Sequence, residues 1–569
     1  MRLSRAADLL ITGGRVWTGL GCPVGDDAPD AIAIRDGRIA EVGNQETLRA
    51  LADEQTVTVD VGDRRVVPGL IDSHIHAVRA GLTYLDELDW TQVPSVTRAL
   101  ETVRAAAADR PDGSWIAALG GWHAGQFTEN RLPEFAELDD AAPRHPVFIY
   151  PVYGHEDYGV LNSAALQALG WTGRCADPPG GMLHRRPDGS PDGRLSGVAA
   201  YQQVTQVALR PTASRAEAST RAFFARLAEL GLTGVVDAGG MGVLPTSYRA
   251  VWAVWRAGAL PVRIRLNVGA ATRGSEPAEI ASWQSYLAPG MGDDMMSVLG
   301  IGEVVHFGCH DWVGMMPLEI GEDDYTAFVA TIREAALQRW PVTVHAILDS
   351  SVTRILDAFE EVAADVPVSD LRWSLCHAEC VGQANLRRVR NLGLGLAVQS
   401  RLGQKAMVCA ARWGEEAVRN GPPLGDIAEL GIPFGAGTDS TRDASYNPWQ
   451  ALQWFVSGLP YDLRGPRRAE RHCLDRAAAL DAYTRGSAWF SFEDDTRGTL
   501  VPGSCADLAV LSADYFAIPQ EDIPSISADL TIVGGRVVHA SGVFGGLPLQ
   551  EAAHRAAPLA GGTHVPDGR

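Results

Sequence analysis

The stretch "VVPGLIDSHIH" (66–76) places two histidines one residue apart at the end of an apolar run. In a β-strand alternate side chains share a face, so the rings of His74 and His76 point the same way. Two converging imidazoles can bind one zinc ion at about 2.0–2.1 Å. Alone, the pattern fits polar side chains at a strand end equally well. Polar residues at the ends of other strands must therefore decide between the two interpretations.

Seven more apolar segments follow this strand, and amphipathic helical patterns alternate with them. Continuous apolar strands alternating with helices indicate a parallel sheet covered by helices. Eight such units predict an α/β fold, a (β/α)8 TIM-type barrel whose active site lies at the carboxyl ends of the strands. The seven segments are "GVVDAGG", "VRIRLNVG", "VLGIGEVVHFG", "PVTVHAI", "RWSLCHAE", "GLGLAVQS" and "IPFGAGTDS".

The two chain ends carry similar short patterns outside this repeat. "LLITGGRVWTG" (9–19) and "LTIVGGRVVHA" (530–540) each predict strand, Gly-Gly turn and strand, and "AIAIRDGRIAEVG" (31–43) predicts a further hairpin. The segment from about 77 to 215 is too long for an ordinary βα-loop, which favours a lid or wall over the active site. The predicted units are a small β-sandwich made of 1–67 and 495–545, the barrel at 68–494, and a loosely ordered tail at 546–569.

The amino-acid composition limits the kinds of molecule that the protein is expected to bind. The net charge is −20, with 69 acidic against 49 basic residues and no Lys/Arg-rich run, which disfavours nucleic acid. No apolar stretch reaches the roughly 18 residues that span a bilayer, and the first residues lack a signal-peptide pattern, so we expect a cytoplasmic protein without a membrane partner. Eight cysteines without C-x-x-C spacing favour reduced thiols, and those of "CHAEC" (376–380) are expected to pack in a core. A small-molecule substrate is the expected partner, and a homo-oligomer is left open.

Polar residues gather where the predicted strands end. His74 and His76 end strand one, His345 ends strand five, His377 strand six and Asp439 strand eight. Histidine and carboxylate ligands from separate strands are the usual make-up of a catalytic zinc centre. Their position at the active face of a barrel therefore favours a metal site over five unrelated polar side chains.

In this order and spacing, the segments resemble the amidohydrolase superfamily over nearly the whole chain. The resemblance rests on "VVPGLIDSHIH", "VHAILDS", "CHAEC", "GAGTDS", "GTLVPGSCADLAVL" and "TIVGGRVV". It is closest to the branch that includes N-acyl-D-amino-acid deacylases and N-substituted formamide deformylases, because "GHEDYGVLNSAAL" and "AYTRGSAWFSFEDDTRGTL" are similar to that branch. The resemblance implies a metal-dependent hydrolase with a β-sandwich made from both chain ends.

The chain departs from many of these relatives at strand four, where they carry a carboxylated lysine that bridges two metals. Its one lysine, Lys405, lies beyond strand seven, whereas strand four offers Glu303, followed closely by His306, Cys309 and His310. A glutamate can bind metal through oxygen, or it can simply pair with an arginine. The predicted ligands of one or two zinc ions, or of another divalent metal, are His74, His76, Glu303, His345, His377 and Asp439.

The resemblance also predicts a mechanism. A bound metal lowers the pKa of water to about 7, and Asp439 is expected to accept the proton and return it to the departing nitrogen. His155 is a second catalytic candidate. The expected reaction is hydrolysis of a C–N bond in an amide, N-formyl or N-acyl compound; ester or lactone hydrolysis, decarboxylation, a lyase step and an inactive scaffold are left open. Aromatic, imidazole and guanidinium side chains predicted to contact substrate are Trp122, His123, Trp312, Arg401 and Trp449.

Overall fold

A computed structural model describes residues 6–25, 27–151, 158–240, 242–312, 318–461 and 463–550. The chain begins with short strands around one helical turn. The predicted 31–43 hairpin forms, and it turns at Asp36 and Gly37, which both have positive φ, as a tight hairpin turn requires. The first elements are β1 (Leu9–Thr12), β2 (Arg15–Val16), β3 (Ala31–Arg35), β4 (Arg38–Gly43), α1 (Gln45–Leu48), β5 (Val57–Asp60) and β6 (Arg65–Pro68).

The first parallel strand, β7 (Leu70–Ile75), leads into a long excursion that folds as a unit of its own. Its strands form one mixed sheet in the order β11-β12-β10-β9-β8, with a hydrophobic cluster on each face. The sequence did not predict this sheet, because apolar runs of about four residues do not distinguish strand from helix. Its elements are α2 (Ala77–Thr83), α3 (Val96–Asp109), β8 (Ile116–Leu119), α4 (Phe135–Ala141), β9 (Val147–Tyr150), β10 (Tyr158–Leu161), α5 (Ser163–Ala168), β11 (Met182–Arg185), β12 (Pro191–Ser196) and α6 (Val198–Ala208).

The other seven predicted parallel strands all form, with helices between them. The strands are β13 (Leu232–Asp237), β14 (Arg263–Val268), β15 (Met296–Ile301), β16 (Thr343–Ala346), β17 (Ser374–His377), β18 (Gly395–Gln399) and β19 (Phe434–Gly437). The helices are α7 (Ala213–Glu229), α8 (Arg249–Arg256), α9 (Glu276–Tyr286), α10 (Glu322–Leu337), α11 (Asp349–Ala363), α12 (Gln383–Asn391), α13 (Arg401–Trp413), α14 (Glu415–Asn420), α15 (Leu424–Glu429) and α16 (Pro448–Ser457).

These eight strands pair as two parallel sheets, β15-β14-β13-β7 and β16-β17-β18-β19. Backbone hydrogen bonds connect the sheets at both ends. The Ile301 N–H donates to the Pro341 carbonyl (2.9 Å) at one junction, and the Asp439 N–H donates to the His74 carbonyl (2.9 Å) at the other. The strands therefore run side by side in the predicted order, while their regular ladders stop at two four-stranded sheets. The closed barrel stays a prediction.

The last elements bring the two chain ends together. Strands β2 and β6 join three C-terminal strands in the order β2-β6-β20-β21-β22, and β4-β3-β1-β5 form a second sheet. Ile11 and Ile32 of one sheet share a hydrophobic cluster with Leu508 and Ile532 of the other. Within the described ranges, no helix is long and apolar enough to cross a membrane. The last elements are α17 (Arg476–Ala482), α18 (Arg485–Ala488), β20 (Leu508–Leu511), β21 (Ala528–Val533) and β22 (Arg536–Ala540).

Candidate metal centre

The six side chains predicted as metal ligands converge at the carboxyl ends of the parallel strands, and all six are buried. Glu303 lies at the middle of this group. Its Oε2 is 3.4 Å from His74 Nε2, 3.4 Å from His345 Nδ1 and 3.3 Å from His377 Nε2, and its Oε1 is 3.4 Å from His76 Nε2. No arginine among the described residues forms an ion pair with Glu303. One carboxylate therefore faces four imidazoles.

The second carboxylate, Asp439, lies against the same rings. Its Oδ1 is 3.1 Å from His76 Nε2 and 3.6 Å from His74 Nε2, and its Oδ2 is 3.9 Å from His377 Nδ1. Burial alone raises the pKa of this carboxyl, but the neighbouring His74, His76 and His377 rings outweigh burial and hold the pKa well below its usual value. Asp439 and His377 both have left-handed backbones, with φ of 56° and 76°. Such strain costs about 1–3 kcal/mol per residue and clusters at functional sites.

Groups behind the imidazoles fix the direction of two rings. His76 Nδ1 lies 2.9 Å from the Gly239 carbonyl and donates to it, so Nε2 is the ring nitrogen that faces the cluster. His345 Nε2 is 3.0 Å from Asp311 Oδ1, although the two are not aligned for a straight hydrogen bond. Asp311 is held by two backbone N–H groups that follow β16. This carboxylate behind an imidazole is typical of metal-binding histidines. Asp311 was not predicted from the sequence, where the only signal for it was its place directly after His310.

The arrangement fits a divalent metal ion. Two ligand atoms 2.0–2.1 Å from a tetrahedral zinc are about 3.4 Å apart, which matches the separations between the imidazoles and Glu303. Among the described residues, His74 Nε2 and His377 Nδ1 are buried without a hydrogen-bond partner, and such atoms in a folded protein call for an explanation. Nitrogen and oxygen donors of this kind suit zinc and similar ions.

His310 joins the cluster as well, although the sequence indicated it only as a neighbour of Glu303. Its ring stacks on that of His345 with centroids 3.7 Å apart, and its Nδ1 accepts the Trp312 N–H at 3.0 Å. Burial lowers the pKa of His310 to about 3, and electrostatic repulsion from the His345 ring adds to this effect, so the His310 ring is neutral. Because Nδ1 accepts a hydrogen bond, the one ring proton lies on Nε2. Trp312, predicted to contact substrate, is therefore beside the cluster.

Two other predicted substrate residues lie around helix α13. Arg401 pairs with Glu379 at 2.8 Å and lies 3.5 Å from Asp443, so its charge is compensated by buried acids. His123 lies near Lys405, and burial, together with the charge of Lys405, lowers the pKa of His123 to about 4. The structure therefore brings excursion and barrel side chains together here.

The remaining two tryptophans lie in hydrophobic cores. Trp122 packs in the excursion with Trp90 (ring centroids 4.8 Å apart) and Phe127 (5.7 Å apart). The Trp449 indole donates to the carbonyl of Leu230 (2.9 Å), which precedes β13 and so lies at the opposite end of the strands from the cluster. The structure brings neither ring to the candidate centre. The remaining candidate, His155, lies outside the described residues.

The excursion nevertheless contacts the loop that carries Asp439. The Gly121 N–H donates to the Arg442 carbonyl at 2.8 Å. At Gly120, where φ is 67°, an added Cβ would lie 2.1 Å from the same carbonyl oxygen. A small cavity of about 50 Å³ opens next to this contact, between the excursion and the loop after β19. The excursion therefore packs directly against the loop that follows Asp439.

The profile of the amidohydrolase family matches residues 57–539. The chain belongs to this family. It is 28% identical over 566 residues to Protein LONG AFTER FAR-RED 3 of Arabidopsis thaliana, covering 94% of this chain and 92% of the relative. It is 25% identical over 558 residues to the N-substituted formamide deformylase of Arthrobacter pascens, covering 94% and 98%. The resemblance that the motifs indicated is confirmed.

Among solved structures, an uncharacterized metal-dependent hydrolase from Pyrococcus horikoshii aligns with a TM-score of 0.66. The alignment has 21% identity and covers 90% of this chain and 99% of that protein. At this identity the likeness shows the fold alone. The mixed α/β, TIM-barrel-like fold of the superfamily is therefore supported.

Proposed function

We propose that this protein is a metal-dependent hydrolase that cleaves the C–N bond of an amide, N-formyl or N-acyl small molecule. The observation that carries the proposal is the buried convergence of four imidazoles on Glu303 and Asp439 in a chain of the amidohydrolase family. Similarity to a formamide deformylase along 94% of the chain supports the choice of bond.

The six converging side chains lie in overlapping groups of donor atoms, in which Glu303 and His74 each belong to more than one group. His76 and Asp439 would hold one ion, and His345 and His377 a second, with Glu303 and His74 between them. Such an ion, when bound, supplies a Lewis acid that lowers the pKa of water to about 7. Glu303 would take the bridging place of the lysine that many relatives use. Zinc is the proposed ion, because imidazole and carboxylate donors from separate strands suit it.

Asp439 is the proposed proton carrier. Its carboxylate is buried and held ionised by His74 and His76, so it can accept a proton from an attacking water. The same group can then donate that proton to the departing nitrogen, which must be protonated to leave.

His310 is the proposed donor to the developing negative charge. Because its Nδ1 accepts the Trp312 N–H, its Nε2–H has no protein partner among the described residues and is available to a carbonyl oxygen of the substrate. A preorganised donor of this kind contributes roughly 10²–10³ in kcat.

The proposed fold of this enzyme is a closed barrel with a β-sandwich and a lid. Hydrogen bonds at both sheet junctions support closure of the eight strands into a barrel, and the core shared by both chain ends supports a β-sandwich. The excursion at about 77–215 would act as the lid, with Trp312, His123 and Arg401 nearest to substrate. From the sequence pattern alone, we also propose a cytoplasmic location and leave a homo-oligomer open.

The test combines metal content with a substrate screen. The purified full-length protein should carry one or two divalent ions per chain and should release amine from at least one N-formyl or N-acyl compound. The double variant His74→Ala/His76→Ala should lose both properties, whereas His145→Ala, which removes a buried histidine of the excursion, should keep the metal. Metal-free, inactive wild-type protein, or full metal content in the double variant, would contradict the proposal.

A further inference from the structure

A cysteine thiol lies inside the candidate metal centre. Cys376 is fully buried on β17, and its Sγ is 3.7 Å from Glu303 Oε2. The donor atoms of His74, Glu303, Cys376 and His377 all lie within 4.8 Å of one another. The sequence pattern assigned this cysteine to core packing, which leaves its contact with the shared carboxylate unexplained.

Backbone geometry explains how two neighbouring residues reach one point. Adjacent side chains of a strand normally point to opposite faces. At His377 the strand ends in a left-handed residue with φ of 76°, so the alternation breaks there. As a result, Cys376 Sγ and His377 Nε2 lie 3.7 Å and 3.3 Å from the same oxygen, Glu303 Oε2.

The separations match those of a mixed tetrahedral site. With a metal–sulfur distance of about 2.3 Å and a metal–oxygen distance of about 2.1 Å, the two ligand atoms are about 3.6 Å apart. The observed 3.7 Å between Cys376 Sγ and Glu303 Oε2 agrees with that value. His74 Nε2, buried and without a hydrogen-bond partner among the described residues, is the fourth donor of this group.

A second buried thiol provides the contrast. Cys409, on α13, is as deeply buried as Cys376, but it belongs to no group of potential metal ligands in the described part of the chain. Burial of a thiol in this fold therefore does not by itself bring it to imidazoles and a carboxylate.

We propose that Cys376 binds the metal through its sulfur, together with Glu303, His377 and His74. The inference rests on the proposed function, since it requires a metal at this centre. On binding, the S–H bond breaks, a sulfur–metal bond forms and the proton leaves to solvent, so metal uptake releases one proton through this ligand. A thiolate among the donors makes the centre selective for zinc, cadmium and cobalt over Mg²⁺, which takes oxygen ligands.

Cobalt substitution tests the proposal without a substrate. The full-length protein is loaded with Co²⁺, its occupancy is measured, and thiolate-to-cobalt charge transfer is followed in the near ultraviolet. Wild type and the control Cys409→Ser should show the band, and Cys376→Ser should lose it while still binding cobalt. The band should persist in Cys376→Ser if another sulfur produces it, and that result would overturn the proposal.

X-ray absorption on zinc-loaded wild type keeps the test decisive if Cys376→Ser fails to fold. The proposal requires one sulfur scatterer at about 2.3 Å. Full zinc occupancy with nitrogen and oxygen scatterers alone would overturn the role of Cys376 and leave the proposed function standing. Failure of wild type to take up any ion would instead refute the proposed function, and the sulfur ligand with it. In Cys376→Ser, affinity for Cd²⁺ should fall at least roughly 10–100-fold, the loss typical even of residues behind the ligands.

Discussion

Glu303→Gln should remove at least one metal ion per chain while leaving the fold intact. The substitution keeps the shape of the side chain but replaces one oxygen with an amide nitrogen that cannot bind a cation. In the structure Oε2 is within 3.4 Å of nitrogens from His74, His345 and His377, whereas Oε1 is 3.4 Å from His76 alone. Whichever oxygen is replaced by nitrogen, residue 303 can no longer bridge the two proposed ions.

The loss of this shared ligand sets the expected change in metal affinity. Residues that merely support metal ligands change affinity by about 10–100-fold, which is roughly 1.4–2.8 kcal/mol, so loss of a shared ligand should cost at least as much. Metal content is measured by mass spectrometry after dialysis against a weak chelator, and affinity by competition with a chromogenic one. The matched control is Glu276→Gln, a buried glutamate that accepts the Phe307 N–H and lies outside the groups of metal donors in the described chain. Wild-type metal content and affinity in Glu303→Gln would refute the bridging role.

Three further outcomes are expected. Asp439→Asn should keep its metal, because Asp439 is not the bridging carboxylate and the amide retains one oxygen that can bind the ion. It should lose roughly 10²–10⁴ in kcat, because an amide cannot accept the proton of water; steady-state kinetics with the compound found in the screen checks this, and an unchanged kcat would remove Asp439 from the mechanism. Trp122→Ala should lower the free energy of unfolding by about 3–5 kcal/mol in urea denaturation, because the ring is buried against Trp90, whereas exposed Tyr286→Ala should change it by less than about 0.5 kcal/mol. Burial lowers the pKa of His123 from 6.5 to about 4, so as the pH falls the unfolded chain binds a proton at this histidine before the folded chain does. The stability that neutral His123 contributes is therefore complete above about pH 6.5 and is lost as the pH falls towards 4. That loss amounts to about 3 kcal/mol at most, and His123→Gln should reduce it; identical acid transitions in the two proteins would contradict the reasoning.

The sequence predicted those parts of the molecule that follow from periodicity. Strand alternation placed His74 and His76 on one face, and the apolar segments gave all eight parallel strands in their order. The absence of a lysine on strand four led to Glu303, which the structure places among the four histidines.

Features that depend on local backbone conformation were not predictable in this way. Cys376 and His377 are adjacent, so alternation assigns them to opposite faces, and only the left-handed backbone at His377 brings both to one carboxylate oxygen. The sheet of the excursion was missed because its apolar runs are short. Trp449 was expected near the mouth because it closely follows strand eight, but α16 directs its indole to Leu230.

The paired glycines at 120 and 121 have a consequence for how such an enzyme can change its substrate. Their backbone packs against the Arg442 carbonyl with no room for a side chain, three residues after Asp439. If the excursion forms the proposed lid, substitutions elsewhere in it can change the surface that faces a substrate without disturbing this contact. Substrate preference and the position of the loop after Asp439 could then vary independently, provided that these two positions keep glycine.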